Sequence, residues 1–315
     1  MTANSNATKA YVSLQENNAV MIIDIPSATI DTVYGLGYMD RGIAGNGLDA
    51  SDMNAAIDIQ TYSRLFAMYQ PDAIVAFESG GNTFIASANE GEPISNSTFT
   101  DAARLNSTPV DPGKFTNVST LINDNNLGRL EVNQMLGDNN GDGLKDSLFT
   151  FGTRSFSIWD DNFQLVWDSG DDFEQITALA YPLNFNSDQD DNNSFKSRSD
   201  NRGPEPQALA IGEVDGVRYA FIGLERMGGF MIYDISDPNN PQFELYELNR
   251  DFSQTANTSG AGDLGPESIV FVPSFQSPTG VALLIIANEI SGTFSIYEIG
   301  QGIGLEEKDA QFLKA

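Results

Sequence analysis

The feature that most constrains this chain is a hairpin that recurs along it. Lys9–Ile25 reads KAYVSLQENNAVMIIDI, Arg218–Ile235 reads RYAFIGLERMGGFMIYDI and Val281–Ile299 reads VALLIIANEISGTFSIYEI. Each is an apolar strand, an acid (Glu16, Glu225, Glu289), a tight polar or glycine turn, and a second strand ending in an acid (Asp24, Asp234, Glu298). Thr83–Glu90 (TFIASANE) gives the first half of the same unit, and Leu148–Asp160 (LFTFGTRSFSIWD) reads as a variant of the whole. Such a unit cannot bury its apolar face alone and has to stack on its neighbours.

A second element precedes three of these hairpins: Gln70-Pro71-Asp72-Ala73-Ile74, Gly203-Pro204-Glu205-Pro206 and Gly265-Pro266-Glu267-Ser268-Ile269. Proline has no N–H to give to a ladder, so it belongs at a strand entrance. One unit then runs Pro-acid, inner strand, turn, strand ending near Glu, turn, third strand, with a weaker fourth such as Gln242–Leu248. The expected fold is all-β, a β-propeller of four-stranded blades with long loops, forming one domain over residues 1–315. Blades of about 40–50 residues allow roughly seven in this length, and five hairpins are marked, so a complete ring and a truncated one both stay open. Long insertions use up the difference. Residues 40–69 carry a helix-like stretch at Met53–Met68, and 92–126 carry two short helical candidates. Residues 184–202 (NFNSDQDDNNSFKSRSDNR) are polar enough to be either a mobile loop or a segment ordered by ions.

Charge and composition narrow the chemistry. Sixteen Lys and Arg against 44 Asp and Glu give a net charge of −28. Such a surface repels phosphate backbones and attracts divalent cations, so nucleic acid is not an expected partner. With no cysteine and no histidine, disulfides, thiolate zinc sites, Ser-His-Asp triads and cysteine nucleophiles are all excluded. No apolar run approaches the ~18–20 residues of a membrane helix. The N-terminal MTANSNATK lacks the apolar core of a signal peptide.

The strongest single motif is Asp138-Asn139-Asn140-Gly141-Asp142-Gly143-Leu144-Lys145-Asp146, which fits D-x-N-x-D-G-x-x-D. Oxygens at positions 1, 3 and 5 wrap one side of a calcium ion, and Gly143 makes the sharp turn. The carbonyl of Leu144 and the carboxylate of Asp146 contribute from the other side. An EF-hand would need Glu at position 12, where Phe149 stands. The motif lies between strand-like runs at Gly128–Leu136 and Ser147–Trp159, so the expectation is a calcium-closed hairpin with a structural role.

The segments AYVSLQENNAVMIIDI, GNGLDASD, MYQPDAI, ANEGE, RSFSIWD, DSGDDFEQIT, GPEPQALAIGE, YAFIGLERMGGFMIYDISDP, NRDFS, DLGPESIVF and ANEISGTFSIYEI occur in order from about Lys9 to Ile299. Together they closely resemble the bacterial choice-of-anchor I family, which is also similar to the animal mesenchyme-specific cell surface glycoprotein. The resemblance implies an exported or surface-anchored, β-propeller-like protein, here its C-terminal portion, since family members usually carry further repeats before these. Family members are sometimes fused to phosphoesterase or nucleotidase domains. One departure is local: Asn89-Glu90-Gly91 is followed here by Glu92-Pro93-Ile94, where the family often has an Asp-Ala-Arg-like sequence.

In a propeller, equivalent positions of the blades form rings about the central channel. Asp72, Glu205 and Glu267 would make one ring, and Glu16, Glu90, Glu225 and Glu289 another. Carboxylates that face one another need a cation or a proton to coexist. Arg154, Arg202, Arg226 and Arg250 lie nearby in sequence. The candidate catalytic set is therefore Glu90, Glu205, Glu225, Glu267, Glu289, Arg154 and Arg226: an acid ring holding calcium beside arginines could bind and split a phosphate ester. The alternative is that these acids cap turns or pair with those same arginines. Three readings follow: a calcium-stabilised extracellular module that binds a surface, protein or glycan partner, a calcium-dependent phosphoesterase, and a self-assembling structural subunit.

Overall fold

The repeated hairpins become antiparallel sheets. A computed structural model describes residues 1–308. The first sheet is β1 (Thr2–Ala3), β2 (Lys9–Leu14), β3 (Ala19–Asp24) and β4 (Thr29–Gly35), paired in chain order. β5 (Tyr38–Asp40) and β6 (Leu65–Met68) begin a second sheet, and β7 (Ile74–Ser79) and β8 (Asn82–Ala88) a third. β9 (Ala102–Arg104) and β10 (Glu131–Asn133) pair with each other across an insert that holds the one-turn helix α1 (Val118–Leu121). β11 (Leu148–Thr150) then joins the second sheet parallel to β6. β12 (Phe156–Asp160) and β13 (Leu165–Asp168) complete the third, in the order β7-β8-β12-β13, and α2 (Asp172–Ala180) follows. The fourth sheet is β14 (Pro206–Val214), β15 (Val217–Leu224), β16 (Phe230–Asp234) and β17 (Gln242–Glu247). The fifth is β18 (Pro266–Val272), β19 (Ala282–Asn288), β20 (Thr293–Ile299) and β21 (Leu305–Lys308).

The three Pro-acid elements open β7, β14 and β18, and all three are edge strands, where a missing N–H costs no ladder bond. The β7–β8 turn is Gly80-Gly81 with φ of +58° and +82°, the two-residue geometry that suits the twist of a hairpin.

Three expectations are corrected. Leu148–Asp160 is not a hairpin: β11 belongs to the second sheet and β12 to the third. The chain turns between them through Gly152 (φ +67°) and Arg154 (φ +56°). The partner missing from Thr83–Glu90 is β12, with Ser87 opposite Ser157. For the same reason Asp138–Asp146 does not close a hairpin, because β10 and β11 lie in different sheets. Met53–Met68 is not helical. Asp49 accepts N–H groups from Ser51 (3.3 Å) and Asp58 (2.8 Å), and Ser51 Oγ accepts that of Met53 (3.1 Å). The Asp58 N–H is thus taken by a side chain instead of a carbonyl four residues back, and the segment ends in β6.

Successive sheets share cores. Tyr11, Val20 and Ile22 of the first meet Ile85 and Trp159 of the third. Ala86, Phe156 and Ile158 of the third meet Ile222, Met231 and Tyr233 of the fourth, together with Phe173 of α2. Phe221 and Ile232 of the fourth meet Ile269, Leu284 and Ile286 of the fifth. Each such side chain contributes about 1.5–3 kcal/mol on burial. Across the last interface Phe271 stacks on Phe221 at 5.7 Å, and its ring lies 2.4 Å from where a Cβ on Gly212 would stand. Only glycine lets the sheets approach this closely.

The polar inserts are built in. Lys196 pairs with Asp49 at 2.9 Å, both side chains fully buried. Asp200 receives Arg104 (3.0 Å) and Arg129 (3.1 Å), and Arg129 also holds Asp52 (2.6 Å). Residues 184–202, without a helix or strand, are thus tied to both other inserts.

Candidate functional site

Where the first, third and fourth sheets meet the 184–202 insert, Glu90, Glu205 and Glu225 converge, with one carboxylate oxygen of each within 4.8 Å of the others. All three are buried. Glu90 lies just past β8, Glu225 just past β15, and Glu205 just before β14, so three strand ends supply them.

The backbone here is tightly specified. The 90–91 turn crosses the 151–152 turn so closely that a Cβ on Gly91 (φ +89°) would lie 2.2 Å from the Gly152 nitrogen, and one on Gly152 would lie 2.0 Å from the Glu90 carbonyl oxygen. Glu205 itself sits at φ +54°, a conformation that a non-glycine residue holds only when its surroundings demand it. Its carbonyl accepts the Glu225 N–H at 2.9 Å, locking the two together.

The three carboxylates are not equivalent. Glu205 is held by three arginines. Arg198 donates to Oε1 from Nε (3.0 Å) and from Nη2, and Arg226 donates to Oε2 from Nε (2.9 Å). Arg202 Nη2 also reaches Oε2 at 3.5 Å. Burial works against the charge of Glu205, but Arg202, Arg198 and Arg226 outweigh it and hold its pKa at about 2. Glu90 and Glu225 face the opposite balance. Burial, with Glu205 and Glu225 beside it, pushes Glu90 up to about 9. Burial and Glu205 push Glu225 up to about 7 against the pull of Arg226. Neutral amides contact both: Gln15 Nε2 donates to Glu90 Oε2 and Gln189 Nε2 to Glu225 Oε1, each at 2.8 Å. Arg226 Nη2 is 3.3 Å from Glu225 Oε1.

Two further arginines fix the scaffold from behind. Arg154, a candidate from sequence, lies outside the cluster. It pairs with buried Glu174 of α2 and donates to the carbonyls of Asp49 (3.0 Å), Ser199 (2.8 Å) and Asn201 (2.7 Å). It therefore positions the segment that carries Arg198 and Arg202. Arg250 donates to the carbonyls of Asp188 (2.6 Å) and Arg226 (2.8 Å) and lies over the Phe252 ring.

The two expected rings are only partly assembled. Glu16 points elsewhere and lines a cavity with Tyr38, Phe99, Asp101 and Asn133, and its neighbour Gln15 reaches the cluster instead. Glu289 is exposed and near enough to raise Glu225. Glu267 accepts from Gln207, and partial burial with Glu289 and Asp72 nearby raises its pKa. Asp72 and Glu267 thus neighbour each other, while Glu205 turns to the arginines. Sequence reasoning missed Arg198, Gln189 and Gln15. Arg198 and Gln189 sit in the insert read as a loop, where three basic residues (Lys196, Arg198, Arg202) after a run of aspartates were the available signal.

The Asp138–Asp146 loop is compact and held by its own backbone N–H groups. Asp138 accepts N–H groups from Gly141 (2.7 Å) and Gly143 (3.0 Å), Asn140 Oδ1 that of Asp142 (3.0 Å), and Asp142 Oδ1 that of Leu144 (2.9 Å). Asp146 is buried and accepts the Asn139 N–H at 2.9 Å. The Gly143 and Gly141 N–H groups lower the Asp138 pKa. The side-chain oxygens thus brace the turn through the loop's own N–H groups.

The sequence model of the choice-of-anchor I domain matches residues 1–238. The chain belongs to the choice-of-anchor I family. This choice-of-anchor I chain is 30% identical over 194 residues to Gigasin-3a of Magallana gigas, a match covering 58% of the chain and 68% of that protein. It is 28% identical over 239 residues to the mesenchyme-specific cell surface glycoprotein of Strongylocentrotus purpuratus, covering 64% of the chain but 30% of that longer protein. Among the described residues no helix is long and apolar enough to cross a membrane.

Proposed function

We propose that this chain is an extracellular, surface-associated β-propeller module that calcium stabilises and that binds a ligand or partner through a surface made by its inserts. The observation that carries this reading is the knitting of 40–69, 92–126 and 184–202 into one polar layer by Asp200, Lys196 and their partners. Loops held in this way present a fixed surface, the arrangement by which rigid scaffolds support binding. Membership of the choice-of-anchor I family and similarity to a protein named as a cell surface glycoprotein support the location. The propeller form is supported by sheets that pack in succession, with edge strand β7 beside β14 and β14 beside β18. The inward side chains of Asp138, Asn140, Asp142 and Asp146 support calcium in their loop, with the Leu144 carbonyl as a further ligand.

The phosphoesterase reading has less support. Both oxygens of Glu205 are already engaged by arginines, Arg226 is occupied in doing so, and Arg154 is enclosed by carbonyls. Assembly by strand addition would use an outer edge such as β4, where Ile30 and Val33 are exposed.

The test is fractionation of producing cells with protease added to intact cells. The protein is expected in the surface or medium fraction and open to cleavage; confinement to the cytosol would end this reading. Purified protein with calcium is expected to leave p-nitrophenyl phosphate and its diester intact.

A further inference from the structure

We propose that Glu90, Glu225 and the carboxamide oxygen of Gln189 form a second calcium site, separate from the Asp138–Asp146 loop, at the junction of the third and fourth sheets with the 184–202 insert. Three observations carry it.

The first is the unequal division of positive charge. Three arginines lie around three carboxylates, yet Arg198 and Arg202 form no ion pair with Glu90 or Glu225 and pair with Glu205, Arg202 acting on the other two only at longer range. Arg202 reaches outward to Glu92 at 3.0 Å instead. Glu90 and Glu225 are left close together with one arginine contact between them, Arg226 to Glu225. Glu90 Oε1 and Glu225 Oε2 accept no hydrogen bond from any described residue, whereas Glu90 Oε2 and Glu225 Oε1 do.

The second is Gln189. It is 7% exposed, and its Oε1 has no hydrogen-bond partner. Donation from Nε2 to Glu225 fixes which way the amide faces, because the opposite orientation would set its oxygen against a carboxylate. A buried carbonyl oxygen without a donor costs free energy unless something positive satisfies it.

The third is donor chemistry. Each of the three proposed ligands offers oxygen, which selects a hard cation, and two carboxylates call for a divalent one. Calcium accepts irregular oxygen sets and completes its coordination with water. The positions also fit: strand ends from two sheets and a pinned insert hold the donors in place without the ion.

With the loop disabled, only this site is read. The experiment is calorimetric titration of calcium into the EDTA-stripped Asp138→Ala/Asp142→Ala variant at about pH 7.5. The expected result is one bound ion per chain. Glu225→Gln and Gln189→Leu, each added to that background, should weaken binding by at least about tenfold. Absence of binding in the loop variant, or binding unchanged by Glu225→Gln, would overturn the proposal. Should the variants not fold, anomalous scattering from calcium-soaked wild-type crystals decides. Density between Glu90 and Glu225 supports the site, and density at the loop alone refutes it. The outcome is independent of whether the protein acts at the cell surface.

Discussion

Arg226 bridges two glutamates of opposite behaviour: its Nε donates to Glu205 at 2.9 Å, while its Nη2 stands 3.3 Å from Glu225. One side chain therefore couples a carboxylate held charged to one pushed toward its neutral form. Removing it should leave fully buried Glu205 short of a partner. Arg226→Met is expected to cost about 3–5 kcal/mol, since a lost partner strands a buried charge. Urea unfolding measures this, and a cost within experimental error would show that Arg198 and Arg202 suffice.

Stability should depend on pH through the same cluster. Glu90 has a folded pKa near 9 against the ordinary 4.5. A raised folded pKa means stability that is full below the ordinary value and is lost as pH climbs through the folded one. In EDTA the melting temperature is therefore expected to fall between about pH 5 and pH 9, with Glu225 (about 7) adding to the fall. Glu90→Gln should flatten this slope. Glu205 acts in the opposite sense: its contribution is present above 4.5 and fades as pH drops toward 2. A Glu90→Gln profile parallel to that of the wild type would contradict the assignment.

The loop motif predicts a metal response. Calcium should raise the melting temperature, chelation should lower it, and Asp142→Ala should remove most of that response, because a ligand that binds only the folded state stabilises it by mass action. Scanning calorimetry with calcium and with EDTA gives the comparison. An Asp142→Ala protein that still shows the full wild-type difference would reject the loop as the source.

Close approach of the fourth and fifth sheets gives another test. Gly212→Ala places a methyl 2.4 Å from the Phe271 ring and should cost about 1–3 kcal/mol by overpacking. Phe271→Leu in the same chain should recover part of that loss in a double-mutant cycle. Additive effects would mean that the two residues do not collide.

What the sequence revealed depended on locality. The hairpins at 9–25, 218–235 and 281–299 were legible because both strands and the turn between them are contiguous. The Pro-acid pairs marked the entrances of β7, β14 and β18 because proline has no N–H to give a ladder. Leu148–Asp160 misled because its apolar alternation continues while the chain changes sheets, and no pattern of hydrophobicity records which sheet a strand joins. Met53–Met68 misled because the side chain of Asp49, outside the segment, takes the Asp58 N–H that a helix would give to a carbonyl. The α2 helix at Asp172–Ala180 was not anticipated, although Phe173 and Thr177, four residues apart, are both buried. Within the candidate site, Glu90, Glu205 and Glu225 were found from the recurring hairpin and Pro-acid elements, and Arg226 from its place next to Glu225. Gln189 and Arg198 have no repeat equivalent, and only the path of the 184–202 insert brings them in, while Gln15 sits in the first hairpin one residue before the expected Glu16.

The third sheet has a consequence for synthesis. Its strands β7 and β8 leave the ribosome well before β12, with residues 89–155 made in between. The fourth and fifth sheets form from adjacent strands as they emerge. Non-local pairing pays for loop closure before it gains contacts, which slows folding. During translation β8 therefore waits with an unpaired rim, so the span before Asp160 emerges is when a trigger-factor-like holdase would be most needed, and when a stalled chain is most open to joining another.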